Sequence, residues 1–149
     1  MELEKEITTK KFESSYNKAF VNVIYTYGWI SNYLKNELDK YNLTQQQFNV
    51  LRILRGQQPH PATVNLIKER MLDKMSDASR IVDRLVAKGL VNRKVCEADR
   101  RAVDITISQQ GLDLLLQIKL DESIQATLSQ NLTEKEAAQL SDLLDKMRG

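Results

Sequence analysis

The chain has few of the residues that break or staple a fold. Five glycines and two prolines in 149 residues disfavour a loop-rich or all-β architecture and favour long helices. A single cysteine, Cys96, excludes an intrachain disulfide and gives no sign of an oxidising compartment. The only histidine, His60, lies between two prolines and has no second imidazole to share a zinc ion with. No apolar run is long enough to span a bilayer, so no membrane partner is expected. The amino-terminal MELEKEITTKKF lacks the apolar core of a signal peptide, and a cytoplasmic location is the expectation. No Ser/His/Asp set, Gly-rich phosphate loop or paired carboxylate cluster is present either. The reading is therefore of a protein that is not an enzyme and needs no cofactor.

What is present is a chain with 42% apolar residues, too many for disorder, and of a length suited to one domain. Its net charge of +2 is unevenly spread. Residues 63–106 carry ten Lys and Arg against seven Asp and Glu, whereas residues 107–149 carry four against seven. A basic middle followed by an acidic tail points to a polyanion contact in the middle.

Apolar residues from Phe12 through Tyr16, Phe20, Val23, Tyr27, Ile30 and Leu34 to Leu38 recur every three or four positions. That is the period of one long amphipathic helix over about 11–40. Thr44 with Gln47 forms a capping box, and Leu43 with Phe48 a hydrophobic staple, for a second helix that carries Leu51 and Leu54 inward and stops near Gly56. QQPHP (57–61) reads as a loop. Two short helices follow. Thr63 caps one with Val64, Ile67 and Met71 on its inner face. The other spans Lys74 to Val91 with Met75, Ala78, Val82 and Leu85 inward, and it closes at Lys88-Gly89. A few residues separate them, which is the helix-turn-helix pattern. The period then changes to two in LVNRKV (90–95) and RAVDITI (101–107), a hairpin that forms a wing. Helical spacing returns from Leu112 to Leu128, and Thr133 with Glu136 caps a last helix carrying Leu140, Leu143, Leu144 and Met147. Six helices and a two-stranded β wing are expected: a mainly α, winged helix-turn-helix chain with N- and C-terminal dimerisation helices. As one domain over 1–149, it has about 11–40 and 109–149 for dimerisation and about 44–107 as the DNA-binding lobe. The two long apolar stripes exceed what one small core can cover, so a homodimer is expected.

The second short helix is the candidate reader. Its outer side offers Ser76, Ser79, Arg80 and Asp83, flanked by Asp77, Arg84 and Lys88. Small hydroxyls permit close approach, and an Arg fork matches guanine acceptors in the major groove of double-stranded DNA. Arg84 and Lys88 are placed for backbone phosphates. At the wing tip, Arg100 and Arg101 suit the electronegative minor groove, with Asp99 able to hold one guanidinium. The same surface would also serve a winged-helix protein-interaction module without sequence-specific DNA binding; steep salt dependence separates the two.

ASRIVDRLVAKGLV from Ala78 and ADRRAVDITISQQG from Ala98 resemble the MarR (multiple antibiotic resistance regulator) family of winged-helix repressors. The family pattern, Asp-x-Arg before a strand ending in Leu-Thr and then a helix-opening Gly, is met by Asp99, Arg101, Ile107-Ser108 and Gly111. Ile-Ser replaces Leu-Thr, and the turn ERMLDKMSD lacks the usual small residues. The resemblance implies dimerisation through the first and last helices, major-groove reading by the Ser76–Lys88 helix and minor-groove insertion of Arg101. It also implies transcriptional repression at a pseudo-palindromic operator, and a small aromatic ligand that releases it. Tyr25, Tyr27, Trp29 and Tyr33 crowd one stretch of the first helix and could line a ligand pocket, Tyr25, Trp29 and Tyr33 being the candidate ligand-binding residues, with dimer or domain core as the plainer role. Cys96 stands among basic residues that would lower a thiol pKa, with an inert strand position as its plainer role.

Overall fold

The computed structural model describes residues 2–9, 11–95 and 103–149. Among them the order is α1 (Leu3–Glu6), α2 (Ser15–Asp39), α3 (Gln45–Gln57), α4 (Val64–Arg70), α5 (Ala78–Ala87), β1 (Val91–Val95), β2 (Val103–Ile107), α6 (Gln109–Gln117), α7 (Leu120–Leu128) and α8 (Glu134–Arg148). The mainly helical winged fold is the one expected.

Local chemistry sets most boundaries. Ser14, Thr44, Thr63, Asp77, Ser108 and Thr133 each place a side-chain oxygen on an otherwise unpaired amide three residues into the helix that follows. The capping boxes at Thr44/Gln47 and Thr133/Glu136 are both complete. Gly89, at φ 72°, ends α5: its amide bonds the Val86 carbonyl and the Leu90 amide bonds Leu85. This left-handed close turns the chain straight into the wing.

The core lies between α3, α4, α5 and the wing. Leu51, Leu54, Ile67, Met71, Val82, Leu85 and Ile105 are all buried, and Leu38 brings the end of α2 onto the same cluster. Each such side chain contributes about 1.5–3 kcal/mol by leaving water. β1 and β2 pair antiparallel, with Val91 opposite Ile107 and Val95 opposite Val103. β1 is buried only at Val91, whereas β2 is anchored along its length, with Ile105 and Ile107 buried and Val103 packed against the core.

Four details differ from the expectation. Eight helices, not six, occur among the described residues. Leu3–Glu6 makes a short helix that seats Leu3 in a buried position and ties to α2 through Glu4–Lys18 and Tyr25–Glu6. The expected single helix after the wing is broken at Ile118–Lys119. Leu115 and Leu120 are both buried, yet in one continuous helix they would point about 140° apart. The break turns both inward, and the Tyr41 hydroxyl donates to the freed Gln117 carbonyl at 3.1 Å. The reader begins at Ala78, not Lys74, because Asp77 takes the cap; Met75 therefore precedes the helix and is 94% exposed instead of inward. Finally, the loop after α3 leads to Ala62, which exchanges both backbone hydrogen bonds with Ile105 and adds a one-residue third rung to the wing base.

No helix of the described residues is long and apolar enough to cross a membrane.

Candidate nucleic-acid interface and its adjoining cleft

α5 buries Ala78, Val82 and Leu85 and turns Arg80, Asp83 and Arg84 to solvent. Arg80 and Arg84 are four residues apart and so lie one above the other on the same face. Asp77 accepts the Arg80 amide at 3.1 Å, which occupies one carboxylate oxygen in capping. The Ser76 hydroxyl donates to Asp73, and Ser79 is half-buried beside the core. Ser76, Asp77, Arg80 and Arg84 line one shallow groove with Thr44 and Gln46 of the α3 start. Asp83 is engaged by Arg93 of β1, which ties the wing to the reader. This pair is about half exposed, so it orients the wing more than it stabilises the fold.

Asp99, Arg100, Arg101 and Cys96 lie outside the described residues. Lys88 stands apart from the Arg80 group. It is the C-cap of α5, and its ammonium donates to the Asn42 carbonyl and, at 3.2 Å, to Oε1 of Gln47, the one buried polar residue among those described. Two of the three ammonium donors are thus directed to the α2–α3 corner. Lys88→Ala is therefore expected to lower stability by roughly 1–3 kcal/mol through the lost charged hydrogen bonds. The salt dependence of DNA affinity should be unchanged. A thermal melt and a salt titration check this; a slope reduced by about one would return Lys88 to the phosphate-contacting set.

Behind the reader, between α2, α3 and α7, is a cleft of about 870 Å³. Tyr27, Ile30 and Leu34 line it from α2, Phe48, Asn49 and Arg52 from α3, Leu72 to Lys74 from the α4–α5 turn, and Leu120 and Ile124 from α7. Its volume is that of a small-molecule site. Of the four crowded aromatic residues of α2, Tyr27 lines this cleft. Tyr25, Trp29 and Tyr33 repeat every four residues on a different face from Tyr27, Ile30 and Leu34. Tyr25 donates to Glu6 at 2.9 Å, Trp29 stacks on Tyr33 at 6.3 Å, and the Tyr33 hydroxyl meets that of Ser123. Arg52 lies 5.7 Å over the Phe48 ring and bonds Asp121 at 2.8 Å, joining α3 to α7 along the cleft. Sequence reasoning missed the α3 wall, although its polar residues at 45, 49 and 52 have helical spacing beside a half-buried Phe48.

Asp73 sits where cleft and groove meet. Ser76 Oγ donates to it at 2.6 Å, the Met75 amide at 3.0 Å and Gln46 Nε2 at 3.4 Å. These donors, the Ser76 hydroxyl foremost, hold its carboxyl below the usual carboxylate range.

Two short helices joined by a tight turn, the second outward-facing and followed by a hairpin, define a winged helix-turn-helix fold of the DNA-binding class. Residues 43–103 match the model of the MarR family. The HTH-type transcriptional regulator MhqR of Bacillus subtilis (strain 168) is 27% identical over 138 residues, covering 87% of this chain and 89% of that protein. A mutant of E. coli MarR crystallised with operator DNA superposes with a TM-score of 0.71 at 26% identity, covering 99% of both chains. The organohalide-sensing regulator RdhR-CbdbA1625, solved with 2,4-dichlorophenol, shares the fold at a TM-score of 0.80 and 22% identity over 93% of this chain and 85% of that one. Over residues 43–103, and in its fold, this chain is similar to MarR-type DNA-binding transcription regulators.

Proposed function

We propose that the protein binds a pseudo-palindromic operator as a homodimer, with Arg80 and Arg84 of α5 in the major groove and Arg100 and Arg101 at the minor groove, and that it represses transcription there. The observation that carries this is the division of α5: one face is sealed into the lobe by Ala78, Val82 and Leu85, while Arg80 and Arg84 stand on the open one. Ser76, Asp77 and Ser79 then serve mainly to start the helix and keep its first turn narrow, and Asp99 to steady a wing arginine. The decisive test is selection of duplexes from a random pool, followed by salt titration of the winning site. A two-half-site consensus with centres about 34 Å apart is expected, and affinity should fall steeply with salt. Binding without base preference would overturn the reading. Transcription in vitro from a promoter carrying the selected site should be lowered by the protein.

Dimerisation is supported by what one chain leaves uncovered. Tyr16 is 89% exposed, and Phe20, Ile24, Leu143 and Met147 are each at least half exposed along α2 and α8, and no residue of α8 is buried. Stripes of this size at two chain ends favour a twofold, self-complementary contact. Sedimentation at micromolar concentration should show a dimer, and Phe20→Glu with Leu143→Glu should yield monomers that bind single half-sites weakly. A stable monomer of the unaltered chain would sink the paired-half-site model.

The cleft supports release by a small aromatic ligand. Tyr27, Phe48 and Leu34 suit a ring, and Arg52 and Lys74 suit an acidic substituent. A ligand preferring one spacing of the two lobes shifts DNA affinity by its differential binding.

A further inference from the structure

We propose that Asp73 is the positioning residue for the start of α5, and that Gln46 and Asn49 suspend its turn from the wall of the cleft, so that what fills the cleft reaches the DNA-facing helix through this turn. The inference rests on the DNA-binding reading above.

The link from Met71 to Ala78 has buried apolar residues only at its two ends. The two large apolar side chains between them, Leu72 and Met75, are 88% and 94% exposed. Hydrogen bonds hold the turn instead, one from the Ser76 amide to the Asp73 carbonyl at 3.4 Å and the others through side chains. Asn49 Oδ1 accepts the Leu72 amide at 3.0 Å, and Gln46 donates to Asp73. Asp73 in turn gathers the Met75 amide and the Ser76 hydroxyl, immediately before the Asp77 cap that receives the Arg80 amide. The remaining side-chain bond of the turn, from Lys74 to the Glu69 carbonyl, stays on the α4 side.

Asn49, Gln46 and Asp73 all line the cleft, and Gln46 also lines the groove beneath Arg80 and Arg84. One amide thus forms a wall common to both concavities. A cleft occupant that takes the Gln46 or Asn49 amide removes the turn's attachment to α3. With no apolar anchor in the middle of the turn, Ser76 and Asp77 lose their register and the Arg80 end of the reader frays. Such a route needs no movement of one lobe against another, because a locally weak segment opens by itself.

The test uses the full chain with Cys96→Ser and a cysteine placed in the cleft, Leu34→Cys, onto which a carbamoylbenzyl group, whose carboxamide can pair with the Gln46 or Asn49 amide, is joined as a disulfide by exchange with its methanethiosulfonate. This tethered ring occupies the cleft without a known ligand. In the parent, tethering should lower affinity for the selected operator about tenfold and speed amide exchange at Leu72, Met75 and Ser76, with the later turns of α5 still protected. Asp73→Ala should produce the same loss untethered, leave binding to scrambled DNA and the dimer intact, and gain little further from tethering. Asp73→Asn, which keeps one acceptor, should fall between. Equal losses on tethering in the parent and in Asp73→Ala would overturn the proposal in favour of lobe spacing. So would unchanged operator affinity alongside faster turn exchange. If the parent prefers no duplex, the DNA-binding reading fails. The exchange measurement then still decides this inference, and unchanged turn exchange on tethering would overturn it.

Discussion

Arg80→Ala is expected to cost about 1–3 kcal/mol at the preferred operator and to relax preference at the base it meets, while binding to scrambled DNA changes little. The reason is its place on α5. It lies in the first turn, where a reader helix presents side chains to base edges, and its backbone is held by the Asp77 cap, so the guanidinium starts from a fixed point. Arg84, one turn on, lies on the same exposed face of the helix. Arg101→Ala should behave differently. The minor groove has a degenerate code, so its loss weakens all sequences together and flattens the salt slope by about one for each half-site. Affinities for selected and scrambled duplexes at several salt concentrations separate the two. A preference that survives Arg80→Ala and vanishes with Arg101→Ala would exchange the roles of helix and wing. A lowered melting temperature with unchanged affinity would make both residues structural.

Gly111→Ala should be among the most damaging single-methyl changes in the chain. A Cβ there would lie 2.4 Å from the Leu90 carbonyl oxygen and 2.8 Å from Ile107 Cγ1. The carbonyl cannot move aside, because it accepts the Ser108 amide at 3.0 Å, and Ser108 in turn caps α6 by accepting the Gly111 amide. The methyl must therefore push α6 away from the base of the wing. Overpacking of this kind costs roughly 1–3 kcal/mol and more when backbone must shift. The melting temperature should fall by several degrees, and DNA affinity should fall with it, since the wing and α6 share that joint. Melting unchanged within a degree would show that α6 can slide without cost.

Much of the fold was legible because its boundaries are local. Thr44 with Gln47, Thr63, Thr133 with Glu136, and Gly89 act within a few residues of chain, and the structure uses each as expected. The wing strands were equally plain, since their period of two has no helical counterpart. What could not be read depends on competition between neighbours. Met75 extends the apolar stripe of α5, but Asp77 caps first and leaves it outside. Lys88 gives no local sign that its ammonium also bonds Asn42 and Gln47, more than forty residues away. The aromatic residues of α2 announced a ligand wall. Which face of α2 meets the cleft was decided by where α3 and α7 pack. The break at Ile118–Lys119 likewise needs the knowledge that Leu115 and Leu120 share one core.

The stacking of Trp29 on Tyr33 has a practical consequence. Trp29 is the only tryptophan of the chain, and it is 44% exposed. Its ring neighbour is fastened to α7, because the Tyr33 hydroxyl meets Ser123 and receives that of Thr127 at 3.4 Å. Sliding of α7 along α2 drags the phenol ring under the indole and changes its quenching and solvent contact. The native chain therefore carries its own fluorophore at the seam between two helices, and its emission reports movement of that seam without any label.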